Sequence, residues 1–268
     1  MTSQRPKIII DHGSQSIKYG LDSDRTPKTF ISENPNGPIK YGQITDFDKL
    51  QYFWHQIFNK NPNVKSALLT EPVMNPKQNR EKTTEMMFES FNLEEFYLAV
   101  TSLLSFFTSG RTTGLAIDSG YGASYTVPVR EGNIVSHGVL RMDVAGEKLD
   151  DYLGEMLAEQ GYEISSKTMI QDIKHKSCLI SAQTDHDYKL PDGKTLSINK
   201  KIRSKIPEAL FSPLKHLNRQ DLGLSNMAFS SISKCDVDIR RDLYNNCYLS
   251  GGSTEFAGMS EKIRSDLR

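Results

Sequence analysis

An excess of charge of either sign is missing from this 268-residue chain: Lys plus Arg and Asp plus Glu both total 33. With no run of basic residues either, nothing recommends a nucleic acid or an anionic membrane as partner. Long apolar runs are absent too, so no segment is expected to span a bilayer. The opening MTSQRPK lacks the pattern of a secretory leader, which gives the expectation of the cytosol or another reducing compartment. Cysteine is scarce. Cys178, Cys235 and Cys247 are widely spaced and have no metal-ligand partners at the usual intervals, so they read as small buried apolar residues and not as a disulfide framework. The six histidines are scattered without a metal-spacing pair. What remains is a globular chain, long enough for one large domain or two ordinary ones and for a sizeable core.

The stretch around which the chain is organised is Leu115 to Pro128, LAIDSGYGASYTVP. It reads as an apolar strand that delivers Asp118 to its end and then turns on two glycines. Gly120 and Gly122 let the backbone approach a phosphate and aim N–H groups at it, and Ser119 adds a hydroxyl donor. The pattern occurs earlier in Lys7 to Gly20, KIIIDHGSQSIKYG, where an Ile-rich strand runs into Asp11, then Gly13 and Ser14, with Lys18 on the returning strand. Either copy alone is what many tight turns look like. Together they suggest a duplicated architecture in which two hairpins clamp a polyphosphate and the two aspartates hold Mg²⁺ through water.

Between and after these hairpins the pattern alternates strands and helices in the first half, the signature of an α/β sheet covered on both faces. Asp22 to Tyr41, with Pro27, Asn34, Pro35, Asn36, Gly37 and Pro38, reads as an irregular connection. A helix follows over Ile44 to Asn59 with Leu50, Phe53, Trp54 and Ile57 on one face, then a strand at Val64 to Thr70. Asn75 is expected to cap the next helix, with Pro76 at its first position and Met86, Met87, Phe88 and Phe91 packing its far end. Phe96 to Val100 reads as a strand and Thr101 as the cap of a short helix. Gly132 to Ala145 completes a strand pair, and Gly146 opens a helix that ends at Gly161. A helix from Ser165 turns Ile170, Ile173, Ser177 and Ile180 inward and leaves Gln171, Lys174 and His175 partly outward or toward a cleft. Tyr188 to Ile198 is a hairpin, and Ile206 to Phe211, Ser225 to Lys234 and Asp236 to Asn245 are short helices. Asn246 to Ser250 is a strand breaking on Gly251 and Gly252, and a helix is expected from Thr254 to Leu267. The glycines, the hydroxyls of Ser253 and Thr254 and that helix N-terminus make a seat for part of a nucleotide, although a plain strand-to-helix turn has the same composition.

Five segments in this order, LLTEPVMNPKQNREKTTEMMFESFN, SGRTTG, IDSGYGASYTVP, KCDVDIRRDLY and LSGGSTEFAG, resemble the most recognisable stretches of the actin family. The resemblance covers nearly the whole chain. It implies the actin-like two-lobe ATPase superfold with ribonuclease H-like repeats, a first lobe over 1–110 and a second over 111–268 with an inserted subdomain at about 145–218, and Mg-ATP or Mg-ADP between the two hairpins. By position Asp11, Gly13, Ser14 and Lys18 match the first phosphate loop, and Asp118, Ser119, Gly120 and Gly122 the second. Lys174 and the turn Gly251, Gly252 and Ser253 match parts of the adenosine pocket, and Asp11 and Asp118 are the implied Mg²⁺ residues.

The departures carry as much. Thr101 stands where the family has the glutamine that helps position the attacking water, and Tyr125 where it has a histidine near that water, so no catalytic residue is assigned. Gln15 replaces a glycine of the first loop, Tyr121 an aspartate of the second, and His175 a glutamate that contacts the sugar. Asp22 to Tyr41 is too short for the family's outer subdomain, which grips the next subunit, and the C-terminal segment that completes the first lobe is expected to be missing. Trp54, Phe88, Phe91, Phe106 and Phe107 are then expected to leave apolar surface for a partner. The resulting expectation is a structural subunit of a cytoskeletal or ciliary assembly in the cytoplasm. It would bind Mg-ATP or Mg-ADP with weak or no hydrolysis, and would form no homopolymer. The same resemblance accommodates an active ATPase, against which Thr101 and Tyr125 argue, or a nuclear scaffold of a chromatin-remodelling complex.

Overall fold

The computed structural model describes residues 6–31 and 37–268. They divide into two compact units after Thr108. In chain order the first unit comprises β1 (Lys7–His12), β2 (Ser16–Leu21), β3 (Lys28–Ile31), β4 (Ile39–Lys40), β5 (Gln43–Ile44), α1 (Phe47–Asn59), β6 (Ser66–Glu71), α2 (Lys77–Glu89), β7 (Glu95–Val100) and α3 (Thr101–Phe107). Its sheet has the order β3-β2-β1-β6-β7, with β2 antiparallel to both neighbours and β1, β6 and β7 mutually parallel. Strand alternation splits the Ile triplet: Ile8 and Ile10 are fully buried, whereas Ile9 is 44% exposed on the other face. Leu50, Trp54 and Ile57, at helical spacing on α1, complete the core, and the Asp46 side chain caps that helix by accepting from the Lys49 N–H.

The second unit contains β8 (Gly114–Ser119), β9 (Ser124–Arg130), β10 (Asn133–Ile134), β11 (Leu140–Met142), α4 (Gly146–Glu159), α5 (Lys167–Ser177), β12 (His186–Lys189), β13 (Thr195–Ile198), α6 (Lys200–Glu208), α7 (Pro213–Leu217), α8 (Leu224–Lys234), α9 (Val237–Asn245), β14 (Cys247–Ser250) and α10 (Met259–Asp266). Its sheet runs β10-β9-β8-β14, with β11 also on β9. The duplication expected from the two Ile-Asp-x-Gly stretches is present in the topology. Both β1 and β8 form an antiparallel hairpin on one side and pair with a parallel strand, β6 or β14, on the other. The core of this unit joins Leu115 and Ile117 of β8 to Leu149, Leu153 and Leu157 of α4, Ile173 of α5 and Ile232 of α8.

Several local expectations are corrected. Asp22 to Tyr41 is not wholly irregular: β3 pairs with β2 because Phe30 stacks on Tyr19, ring centroids 5.2 Å apart, and β4 pairs with β5. Asn34, Pro35 and Asn36 lie outside the described residues. Asn75 does not cap α2, since its side-chain amide donates to Glu71 at 3.0 Å and the helix begins after Pro76 without a side-chain cap. Thr101 lies within the first turn of α3, not at its cap. The helix expected at Ile206 to Phe211 is α6, which starts earlier and ends at Glu208; Asn199 caps it by accepting from Ile202 at 2.9 Å, and α7 was not anticipated. Residues 252–254 form a 3-10 turn and α10 begins only at Met259, so no α-helix N-terminus stands directly behind Gly251 and Gly252.

Among the described residues, α1 and α2 do not lie on opposite faces of the first sheet. The chain moves through β1, β6 and β7 in one direction across the sheet, and right-handed crossovers then place α1 and α2 on the same side. The opposite side carries Ile9 and, two strands away in the same row, Tyr97 at 65% exposure. Trp54 and Phe106 are fully buried, contrary to the expectation that they add to uncovered surface, whereas Phe88 and Phe107 are exposed.

Candidate functional site

In the first unit, the turn between β1 and β2 places Asp11 at a strand end. The Thr70 hydroxyl at the end of β6 donates to Asp11 Oδ1 at 2.7 Å and accepts from the His12 backbone N–H at 3.0 Å, which fixes the carboxylate. The Gly13 N–H closes the hairpin on Ser16 O at 2.9 Å, and the Ser14 hydroxyl accepts from the Gly42 N–H at 2.9 Å. Lys18 stands opposite Asp11 in the hairpin register and is exposed.

His12 is the residue that sequence reasoning missed. Its Nε2 accepts from Trp54 Nε1 at 2.7 Å, so the core tryptophan holds the base of the turn. Burial lowers the His12 pKa to about 4, outweighing the opposing pull of the Asp11 carboxylate and the Thr70 contact. A proton on Nε2 also destroys the acceptor that Trp54 needs. With the folded pKa below the unfolded value, this stability is present above pH 6.5 and is lost as pH falls toward 4, by about 3 kcal/mol at the lower end. Equilibrium urea unfolding across this range is expected to show that acid limb in wild type and a flatter one in His12→Gln.

In the second unit, Asp118 lies in a row across the sheet, paired with Tyr125 of β9 on one side and Ser250 of β14 on the other, with Arg141 of β11 beyond Tyr125. Paired residues share a face, so the four side chains stand side by side. Tyr125 is buried, and neither its hydroxyl nor that of Ser250 meets a partner among the described residues. Burial pushes the Tyr125 pKa up to about 12, with Arg141 opposing and Asp143 and Asp118 adding to the rise. Tyr125 therefore keeps its proton at neutral pH.

The other expected groups at this turn are engaged within the unit. Ser119 is fully buried, its hydroxyl 2.7 Å from that of Ser124, which donates to Val144 O at 2.7 Å. The Gly120 carbonyl accepts from Gly146 N at 3.1 Å and from the Ser253 hydroxyl at 2.7 Å, and the Gly120 N–H donates to Ala123 O at 3.2 Å. Gly122 is buried and Gly252 exposed. Gly251 has φ +87°, and a Cβ there would fall 2.3 Å from Ser119 O, so only glycine lets β14 close onto β8.

Lys174 does not face outward. Its Nζ lies 2.5 Å from Asp150 Oδ1 and donates to Gly146 O at 2.9 Å, and the two side chains are 3% and 1% exposed. Burial raises the Asp150 pKa against the attraction of Lys174. Tyr121 lies over the same helix: its hydroxyl accepts from Gln171 Nε2 at 3.2 Å, and the Lys167 and Lys174 ammonium groups are 5.7 and 6.0 Å from its ring centroid. Lys167 is paired with Glu147 at 3.3 Å. His175 is exposed on α5. In the first unit Thr101 donates its hydroxyl to Glu71 O at 3.1 Å.

In the first unit Asp11 is oriented by Thr70; in the second, Asp118 stands at a strand end between two buried hydroxyls that meet no partner among the described residues. Among the described residues no three His, Cys, Asp or Glu side chains converge as a direct metal site. Lys174 and Ser253, both expected at the adenosine pocket, each donate to a backbone carbonyl, of Gly146 and Gly120 respectively. A family model for actin matches residues 34–186 and 174–268, most of the chain. The repeated hairpin-plus-parallel-strand sheets, the glycine that closes β14 onto β8 and this match lead to one assignment: the chain belongs to the actin family.

Proposed function

We propose that this actin-family chain is a structural subunit of a larger cytoskeletal or ciliary assembly and that it holds Mg-ATP or Mg-ADP as a fixed structural ligand with little or no hydrolysis. The observation that carries this reading is the state of the two positions that match the family's water-handling residues. Tyr125 is protonated at neutral pH and Thr101 gives its hydroxyl to a backbone carbonyl, so neither accepts a proton from water. Asp11 and Asp118 would hold the cation through water, which when bound neutralises phosphate charge. A partner role is supported by the first unit, where Ile9, Tyr97, Phe88 and Phe107 leave apolar surface that a monomer has reason to cover.

Identification of the nucleotide that co-elutes after gentle native isolation, with associated proteins read by mass spectrometry, tests both parts. Bound ATP with cytoskeletal or ciliary partners supports the reading; ADP formed by rapid turnover, or a nuclear chromatin complex, overturns it. The cation residues are tested separately. Saturating Mg-ATP at 100 times Kd is expected to stabilise wild type by about 2.7 kcal/mol. Asp11→Ala combined with Asp118→Ala is expected to abolish that shift, and identical ligand-induced shifts in both proteins would count against the assignment.

A further inference from the structure

We infer that the first unit holds one ordered internal water, which bridges the Asn75 side-chain carbonyl and the Thr83 hydroxyl. Both oxygens are buried, and neither meets a partner among the described residues. A polar atom so placed carries its full desolvation penalty unless something bonds to it. The direction of the amide is fixed, because Asn75 Nδ2 donates to Glu71 Oε2 at 3.0 Å and a flip would set oxygen against the carboxylate. Oδ1 therefore needs a donor from elsewhere. On α2 the neighbouring Thr84 gives its hydroxyl to the Arg80 carbonyl one turn back at 2.8 Å, the common outlet for a helical threonine. Thr83 makes no such bond and is 2% exposed.

Asn75 and Thr83 line the same small cavity, whose wall also includes His12, Ile39, Thr70 and Glu71. The space open to the centre of a water is about 10 Å³, close to the least that admits one molecule and too little for a larger guest. Two polar partners meet the minimum for a bound water. It donates to Asn75 Oδ1, and at Thr83 it either gives or takes the hydrogen bond, since a hydroxyl serves both ways. The other polar side chains named in the wall are committed: His12 to Trp54 and Thr70, the Thr70 hydroxyl to Asp11, and the Glu71 carboxylate to Asn75 and to Arg80 at 3.0 Å. Arg80 already balances the Glu71 charge, so the cavity offers a cation no net negative charge and neutral water is the matching ligand. The bridge links the middle of α2 to the segment between β6 and α2, in a cavity that Thr70, the residue orienting Asp11, also lines.

A crystal structure of the full-length protein, at a resolution that shows ordered waters, is expected to place one within hydrogen-bond distance of both Asn75 Oδ1 and Thr83 Oγ1. An empty cavity, or either oxygen bonded to a protein group instead, overturns the inference. An anomalous peak at this place after a rubidium soak makes the occupant a cation and overturns it as well. Thermal unfolding of Thr83→Val adds an independent sign, because valine keeps the shape and a similar helix propensity but removes the hydroxyl. With the water in place, the change leaves it one partner, and Tm is expected to fall by about 2–4 °C. Without it, the same change deletes an unmet buried hydroxyl, and an unchanged or raised Tm would overturn the inference. The wild-type density decides alone if Thr83→Val fails to fold.

Discussion

Asp150→Ala is expected to lower the unfolding free energy of the second unit by about 3–5 kcal/mol, the cost of leaving a buried charge without its partner. Lys174 is only 3% exposed, and its other contacts, the Gly146 carbonyl and the Tyr121 ring, are neutral. The ammonium must then lose its proton, draw water into the α4–α5 interface or swing out and leave a cavity, and each route is costly. Lys174→Met together with Asp150→Leu removes both charges and is expected to recover most of the loss, because an apolar pair of similar volume avoids the desolvation penalty. The exposed pair Lys77–Glu81, with side chains 88% and 62% accessible, is the control, and Glu81→Ala is expected to change stability by less than about 0.5 kcal/mol. Equilibrium urea unfolding of the four proteins separates these values. A loss below 1 kcal/mol in Asp150→Ala would mean that water already reaches Lys174.

That ion pair also shows where the sequence stops being legible. Asp150 and Lys174 lie 24 positions apart on different helices, so periodicity sees only a lysine on the polar side of α5 and cannot know that α4 presents a carboxylate there. His12 and Trp54 are separated in the same way, and the tryptophan's apolar spacing hid the hydrogen bond it gives. The two strand-to-turn segments were readable because Ile-Asp-x-Gly fixes strand phase and turn position together, and both hairpins formed at those places. Departures at Thr101 and Tyr125 were visible as residue types, but that the Thr101 hydroxyl holds Glu71 O and the Tyr125 hydroxyl meets no partner among the described residues depends on neighbours distant in the chain. β3 was obscured by the Pro and Asn residues around it, since Phe30 pairs through stacking and not through a long apolar run. At the second turn the hydroxyls and glycines were found, yet their direction was not: Ser119 and Ser253 point inward to the protein's own groups.

Thr101→Gln combined with Tyr125→His is expected to raise the single-turnover rate of ATP hydrolysis by about 10²-fold or more, the low end of what positioned proton-handling groups contribute. Wild type has a phenol with a pKa of about 12 beside Asp118, a group able to donate a hydrogen bond but not to take a proton from water at neutral pH. An imidazole restores an acceptor with a pKa near neutrality, and a longer amide frees position 101 from the Glu71 carbonyl that now holds the threonine. Each single variant is expected to give much less than half of the logarithmic gain, because groups that act as a unit combine non-additively. The double variant should also acquire a rate that climbs between about pH 5.5 and 7.5 as the imidazole loses its proton, whereas wild type stays flat over that window. Quench-flow with labelled ATP measures both properties. A wild-type rate equal to that of the double variant would show that another group activates water, and the chain would then act as an ATPase instead of a static nucleotide holder.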